Sequence, residues 1–323
     1  MSGAAAQSGH VPVLLRECLA ALGAQPGDVY VDATAGLGGH AREFGRCVGL
    51  EGMVVLNDVD PRNLDRAREV VGASGTRVEA MAGNFADLPR RLSEAGLSAD
   101  VVLADLGFSS NQMEDADRGL SFMRDGPLDM RLDPGLPITA AELVNSLPEG
   151  ELVSMLREFG DEPGASRIAR NIVQVRRSSP ITTTGQFAEV VRGAIGKGNG
   201  RIDPSTRSFQ ALRIAVNDEM GALDALLASI GRAARAMKDG RPAVWISPGA
   251  RIGIITFHSL EDRRVKKVFG ELVREGVATD ISGRGRGGVI EASEAEVQAN
   301  PRSRSAKLRV IRIAEMTPGT DRV

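Results

Sequence analysis

Cysteine and histidine are scarce in this chain of 323 residues: two of the first, Cys18 and Cys47, and three of the second. No disulfide framework, zinc site or Cys-Cys redox motif can be assembled from so few. No other cluster of metal ligands stands out. Long apolar runs are also missing: nothing approaches the roughly 18 residues of a membrane span. A signal-peptide pattern is absent too, so a soluble cytoplasmic protein is expected. Excess charge is lacking, with a formal net charge of −2. The molecule as a whole is therefore no magnet for polyanions, and any nucleic acid must be met by locally grouped bases. Glycine, by contrast, is plentiful at 38 residues, which fits a fold with many tight strand-to-helix turns. The length suffices for one large α/β core, or for a core with an inserted domain.

The most informative stretch runs from Val29 to Pro61. Val29 to Val31 reads as a short apolar strand that opens into a turn containing Gly36, Gly38 and Gly39. A helix follows from about His40, then a second strand, Met53 to Leu56, that leads to Asp58 and Asp60. This is the first β-α-β unit of a doubly wound sheet, with a nucleotide-like ligand held against a helix N-terminus. Asp58 is placed to accept hydrogen bonds from a ribose diol. The spacing Gly36-x-Gly38-x-x-Ala41 also satisfies the loose dinucleotide fingerprint, so a dinucleotide and a plain tight turn stay open. Asp32 favours S-adenosylmethionine (SAM), because an anionic edge suits a methionine ammonium and repels a pyrophosphate.

Further along, Pro61 starts a helix at its first turn. A third strand, Arg77 to Met81, leads to Phe85, which is placed either to cover an adenine or to plug the core. A helix over Ala86 to Ala95 precedes a fourth strand, Asp100 to Ala104, that delivers Asp105, Ser109 and Ser110 to the end where ligands bind in open α/β sheets. From Asn111 the pattern changes to a turn-rich segment, RGLSFMRDGPLDMRLDP, expected to fold back on internal ion pairs. Helical stretches capped at Thr139 and Thr184 come next. The pattern predicts a doubly wound α/β main domain over 1–110 and 206–323, with an all-helical insert over 111–205. Pro204 to Arg235 reads as one long helix with Phe209, Leu212, Val216, Met220, Leu223 and Leu227 as its core stripe. Of two apolar runs, 243–246 and 251–257, the second is the better fifth strand, and it is followed by His258, Glu261 and Asp262. A mobile loop is expected over 275–299. The last strand, Leu308 to Ile313, follows a locally basic segment able to hold a phosphate backbone.

The motifs HVPVLL, DATAGLGGH, ADLGFSSNQ, RGLSFMRDGPLDMRLD, DPSTRSFQALRIAVNDE, ITFHSLEDRRVK and NPRSRSAKLR occur in order from His10 to the C-terminal region. Together they resemble the signatures of the bacterial ribosomal RNA small-subunit methyltransferase H (MraW/RsmH) family over essentially the whole chain. The resemblance implies a class I SAM-dependent methyltransferase, Rossmann-like, with an inserted helical domain for RNA recognition. It implies methyl transfer to N4 of a cytidine, position 1402 in customary 16S rRNA numbering, within the small ribosomal subunit. The family's cofactor contacts fall on Gly38, Gly39, His40, Asp58, Phe85, Asp105 and Gln112; Asp32 and Gly36 join them from the reading of the turn itself. Departures are local: Ser205 and Ser208 in the Pro-Ala-Thr-Arg-Thr motif, Gly249-Ala250 for Gly-Gly, Phe108 for a valine, extra residues near 241–245, and a variant segment near 283–288.

An exocyclic amine is a poor nucleophile, so its transfer needs an in-line approach and an acceptor for the amino hydrogens. Asp105 is the best candidate, with Ser109 or Ser110 assisting, although the Asp/Asn-Pro-Pro-Tyr/Phe motif of many amino methyltransferases is absent. His258, with Glu261 or Asp262, stands at the end of the sheet that would meet the base, while His40 is expected to shape the cofactor pocket. Carbon methylation would need a cysteine at a strand end, and neither Cys18 nor Cys47 is there. Rival readings are a SAM enzyme acting on another RNA or a protein, a NAD-dependent oxidoreductase, and a noncatalytic ribosome-binding factor on the same scaffold. Monomer and homodimer are equally compatible with the sequence.

Overall fold

The computed structural model of the chain describes residues 12–196, 203–283 and 288–315. His10, Lys197 and Arg201 lie outside the described residues. The chain divides into two compact units, 1–107 with 222–323, and 108–221.

The first unit is built on a sheet whose strands are β1 (Val29–Asp32), β2 (Met53–Asp58), β3 (Arg77–Ala82), β4 (Ala99–Asp105), β5 (Ile246–Thr256), β6 (Ala278–Asp280), β7 (Ile290–Glu291) and β8 (Lys307–Ile313). Their spatial order is β3-β2-β1-β4-β5-β8-β6, with β7 also paired to β8. The first five strands run parallel, while β8 pairs antiparallel with β5 and β6. Order reverses direction between β1 and β4, so the crevice outside their carboxyl ends is the topological switch point. Asp32 closes β1 beside Leu103, two residues before Asp105.

Alternation along the strands decides which helices cover which face. Val31, Val55, Val102, Ile252 and Ile254 pack with α4 (Leu88–Glu94), α11 (Glu219–Lys238) and α12 (Ser259–Arg274). Tyr30, Val54, Leu56, Val101 and Leu103 face the other way, against α1 (Leu15–Leu22), α2 (Gly39–Val48) and α3 (Pro61–Gly72). Tyr30 and Phe44 stack there with ring centroids 4.2 Å apart.

The second unit contains α5 (Ser110–Glu114), α6 (Ala140–Ser146), α7 (Glu149–Gly160), α8 (Ala165–Arg176), α9 (Thr184–Ile195) and α10 (Ser205–Asn217), around a separate core that includes Leu152, Ile168, Ile172, Phe187 and Leu212. Phe209 meets Phe122 and Phe187 with centroids 4.8 and 5.2 Å away. The segment 118–136 does fold back, but mostly through carbonyls. Arg118 donates to the carbonyls of Arg131 and Leu132, Arg131 pairs with Asp129 at 2.8 Å, and Asn217 bridges the Met130 carbonyl and the Leu132 N–H.

Five expectations change. The long helix over Pro204 to Arg235 is two helices, broken at Asp218, whose left-handed backbone (φ 46) ends α10. Its stripe is divided accordingly: Phe209, Leu212 and Val216 serve the second core, Leu223 and Leu227 the first. The second unit thus extends to Gly221 rather than to 205. The two apolar runs before His258 are one strand, β5, with a register shift opposite Ala99 and Val101. Pro248 lacks an N–H and Gly249 sits at φ 76, and together these accommodate the irregularity that divides the strand's hydrophobic pattern. Residues 275–299 contain β6, β7 and α13 (Glu294–Ala299), not only a loop. Finally, Thr183 rather than Thr184 caps α9; Thr184 is buried.

Replacing Phe44 by alanine removes the ring stacked on Tyr30 from a fully buried site. The expected cost is about 3–5 kcal/mol of unfolding free energy, read by urea denaturation.

Candidate functional site

The turn after β1 is wired to the ends of the neighbouring strands by its own backbone. Ala33 N–H donates to the Leu103 carbonyl, Ala35 N–H to the Asn57 carbonyl, and Gly36 N–H to Asp58 Oδ2 at 2.8 Å. The Asn57 side chain donates back to the Ala33 carbonyl at 2.7 Å. Gly38 lies at φ 81, and a Cβ there would come within 2.9 Å of the Ala67 Cα, so α2 and α3 meet this closely only because Gly38 has no side chain. α2 then begins, with its N-terminus turned to the strand ends.

Three carboxylates gather at the ends of β1, β2 and β4. Asp32 is buried and accepts from the Tyr30 hydroxyl at 3.2 Å and from Thr34 N–H at 3.2 Å. Loss of water nonetheless raises its pKa to about 7, and the Asp58 charge adds to this. Asp58 accepts from Gly36 and Asp60 N–H groups, both at 2.8 Å; desolvation still carries it to about 6. Asp58 also accepts from the Asn63 side chain; with about four lone-pair sites on a carboxylate, room is left for a ligand hydroxyl. Asp105 is held by its own backbone, whose N–H donates to Thr34 Oγ1 at 2.7 Å. Its pKa stands well above the usual carboxylate range, first through burial and then through the charges of Asp32 and Glu261. Asp105 Oδ1 is shut off from water and finds no hydrogen-bond partner in the protein.

His40 connects this cluster to the N-terminal segment. Its Nε2 lies 2.9 Å from the Val13 carbonyl and its Nδ1 lies 3.6 Å from Asp105 Oδ2. A carbonyl can only accept, so Nε2 carries a proton, and in the neutral tautomer it is the Nδ1 lone pair that faces Asp105. The two groups therefore face each other with one proton to share. Phe85 opens a 3-10 turn after β3 and packs partly against the first core, and Gly83 N–H ties that turn to the Asp58 carbonyl at 2.9 Å. Arg91 pins the same turn through the carbonyls of Ala82 and Asn84.

After β5, His258 is the N-cap of α12, and Glu261 reaches back to accept from Phe257 and His258 N–H groups at 2.8 and 3.3 Å. His258 Nε2 lies 3.2 Å from a Glu261 oxygen, yet the alignment is poor and neither ring nitrogen makes a hydrogen bond. Asp262 points elsewhere, holding Arg309 at 2.8 and 3.2 Å. In the second unit, Ser109 caps α5 and Gln112 is buried, accepting from Ser109 N–H at 3.0 Å. Thus the first unit brings together Asp32, Gly36, Gly38, Gly39, His40, Asp58 and Asp105, with Phe85 adjoining. Ser109 and Gln112 belong to the other unit. Sequence reasoning missed Tyr30, Thr34 and Asn57, which orient the carboxylates. Thr34 lay inside DATAGLGG and was the only one with a motif to flag it.

These acceptors fit a cation with a hydroxylated ribose better than a diphosphate. A ring of carboxylates kept from water is unfavourable by itself and is relieved by positive charge. Cys18 is fully buried in α1 and its thiol is pushed well up by burial and by Asp105, which leaves it inert as a nucleophile.

The strand order, the antiparallel β8 and this acidic glycine-turn site define a class I methyltransferase. Its sequence agrees: the profile of the MraW methylase family matches residues 7–314. The chain belongs to that family. Among its relatives, the ribosomal RNA small subunit methyltransferase H of Symbiobacterium thermophilum is 42% identical over 94% of this chain and 96% of its own length. Proteins of the same name from Syntrophotalea carbinolica and Halorhodospira halophila are 44% and 43% identical, covering 94% and 93% of this chain and 97% and 93% of their own.

A test of the carboxylate cluster uses stability alone. A carboxyl whose pKa is higher folded (about 7 for Asp32) than unfolded (about 3.9) favours folding only while protonated. That contribution is lost as pH rises from about 4 to about 7. Asp32→Asn keeps the Tyr30 contact without the charge. It should stabilise the ligand-free protein by about 1–3 kcal/mol at pH 8, with the gain vanishing near pH 4, as read by thermal or urea unfolding.

Proposed function

We propose that the chain methylates N4 of a cytidine in 16S rRNA of the small ribosomal subunit, at position 1402, with SAM as donor. The observation that carries this is the trio Asp32, Asp58 and Asp105 at the switch point, desolvated and raised in pKa. The choice of RNA class is supported by the relatives, which are ribosomal RNA small subunit methyltransferases H.

In this reading Asp32 holds the methionine ammonium and Asp58 the ribose hydroxyls. Phe85 covers the adenine, and the glycine turn, with Gly38, Gly39 and His40, lets the backbone close on the ligand. Bound SAM supplies an electrophilic methyl on a sulfonium. Asp105 accepts a proton from the attacking amine, which lets the nitrogen direct its lone pair at the methyl. His40, fixed by Val13, holds that carboxylate in place and receives or returns the shared proton. His258 approaches the base, and in the second unit Gln112 steadies Ser109. A base lying in folded RNA has to be turned out to reach such a site. Transfer to N4 needs no protein nucleophile, which agrees with the inert Cys18.

The experiment is transfer of a labelled methyl from SAM to isolated small subunits, followed by location of the modified nucleotide. The expected product is N4-methylcytidine at position 1402, with little turnover of free cytidine. Asp105→Asn should lower kcat by about 100-fold or more. Equal turnover of the free nucleoside, or a product elsewhere, would contradict the reading.

Binding adds a pH-sensitive check. In the free protein Asp32, with its pKa near 7, must ionise to pair with the ammonium, and Asp58, near 6, accepts from both ribose hydroxyls only as a carboxylate. SAM affinity should therefore rise with pH between about 5 and 7.5 and level off above. Calorimetry at pH 6 in buffers of different ionisation enthalpy should register proton release on binding, and proton uptake would oppose the assignment.

A further inference from the structure

The arginines of the second unit are mostly engaged. Arg118, Arg124, Arg176 and Arg207 donate to backbone carbonyls, while Arg131, Arg192 and Arg213 pair with Asp129, Asp203 and Glu219. In the first unit the basic C-terminal segment is likewise drawn inward. Arg309 is held by Asp262, Lys307 lies 3.7 Å from the same carboxylate, and Arg312 donates to the Gly249 carbonyl. The phosphate grip expected there is thus largely spent on the protein itself.

Among the described arginines of the second unit, Arg167, Arg170 and Arg177 are the exception. All three are exposed, and none is hydrogen-bonded or ion-paired among the described residues. The first two lie on α8 and Arg177 is its C-cap. Their spacing, with exposed Gln174 between, follows i, i+3, i+7, i+10. That puts them on one stripe about 15 Å long, opposite the buried Ala165, Ile168, Ala169 and Ile172. No acidic residue interrupts the stripe, and none of the large exposed apolar side chains lies on this helix.

We propose that this stripe of α8 is a docking face for the RNA phosphate backbone, and that it grips the small-subunit rRNA during methyl transfer. The choice of RNA rests on the function proposed above; the choice of phosphate rests on the stripe. Guanidinium groups match phosphate oxygens bidentately, and at ~3.4 Å per nucleotide the stripe spans about four steps of a strand. A membrane surface would also attract cations, but it needs apolar side chains beside them, which this face lacks. Contacts of this kind position an RNA without reading its sequence.

The test substitutes Arg167→Gln, Arg170→Gln and Arg177→Gln together in the full chain. A control of equal charge change carries Arg66→Gln, Arg90→Gln and Arg235→Gln, at exposed ion-paired positions of the first unit. For the α8 variant, KM for small subunits should rise at least about 10-fold, with kcat within about 2-fold and SAM affinity unchanged. The slope of log affinity for small subunits against log salt should fall by about 2, that is three contacts at ~0.7 each. The corresponding lysine triple should recover most of the affinity, which a folding defect would not allow. An unchanged KM and salt slope would overturn the proposal. So would an equal loss in the control, or a loss confined to binding of anionic vesicles or an acidic protein. If the wild-type chain binds subunits through the stripe but does not methylate them, the functional reading fails and the docking face stands. Normal methylation by the α8 variant does the reverse.

Discussion

Everything at the strand ends follows from keeping Asp32 and Asp58 out of water, with Asp105 Oδ1 shut off beside them, and no lysine or arginine among the described residues pairs with the three. Neutral groups do the holding: the Tyr30 hydroxyl and Thr34 N–H donate to Asp32 and the Gly36 and Asp60 N–H groups to Asp58, while Thr34 Oγ1 accepts from the Asp105 backbone N–H. Dipoles of this kind hold the groups in position but do not replace hydration, which is why Asp32 and Asp58 stay raised despite their hydrogen bonds. The site is a stored electrostatic imbalance, and its tension is directed at positive charge. Strain of this sort survives because the turn's geometry is fixed many times over, by the ties to Leu103 and Asn57 and by the close packing of α2 on α3 at Gly38.

In the second unit the same chemistry of donors and acceptors serves architecture. The segment rich in arginine and aspartate looks on paper like a solvated, charge-studded loop. In the structure its arginines mainly satisfy carbonyls that have no helix or strand to pair with, as backbone accounting requires of an irregular segment. Charge counts along a sequence therefore say little about which cations are left for a partner. The useful quantity is the set of guanidinium groups with nothing to hold, and among the described residues of the second unit it contracts to one helix face.

The parts of the fold legible in the sequence were those in which one short-range rule acts alone. The first β-α-β unit was readable because Gly36, Gly38, Asp58 and Pro61 each answer a separate local demand, and the site followed from the rule that ligands sit beyond strand carboxyl ends. The misread elements are places where two rules compete. Asp218 carries no glycine or proline to announce the left-handed break that ends α10, and the apolar spacing continues across it although the two halves serve different cores. Pro248 and Gly249 look like a boundary, yet β5 passes through them as an irregular edge of its pairing with β4. Thr183 and Thr184 are both good caps in isolation, and only the burial of Thr184 distinguishes them. The supporting shell of Tyr30, Thr34 and Asn57 was hidden for a different reason: its roles exist only across strands.

The raised carboxyl of Asp105 bears on the order of events in the proposed reaction. A carboxyl kept neutral by burial is a poor proton acceptor, and the charges of Asp32 and Glu261 favour that neutral form of Asp105 further, with His40 Nδ1 3.6 Å away. Positive charge placed beside it reverses the balance, because the attraction favours the ionised form that desolvation had opposed. The proton then has two exits: solvent, or His40 Nδ1, whose ring is already oriented by Val13 to receive it. Asp105 thus becomes a competent base only when the cationic donor is in place. An amine reaching the pocket earlier would find a carboxylic acid rather than a carboxylate. The N-terminal segment that carries Val13 enters this logic through one carbonyl, since it fixes which imidazole nitrogen faces the cluster.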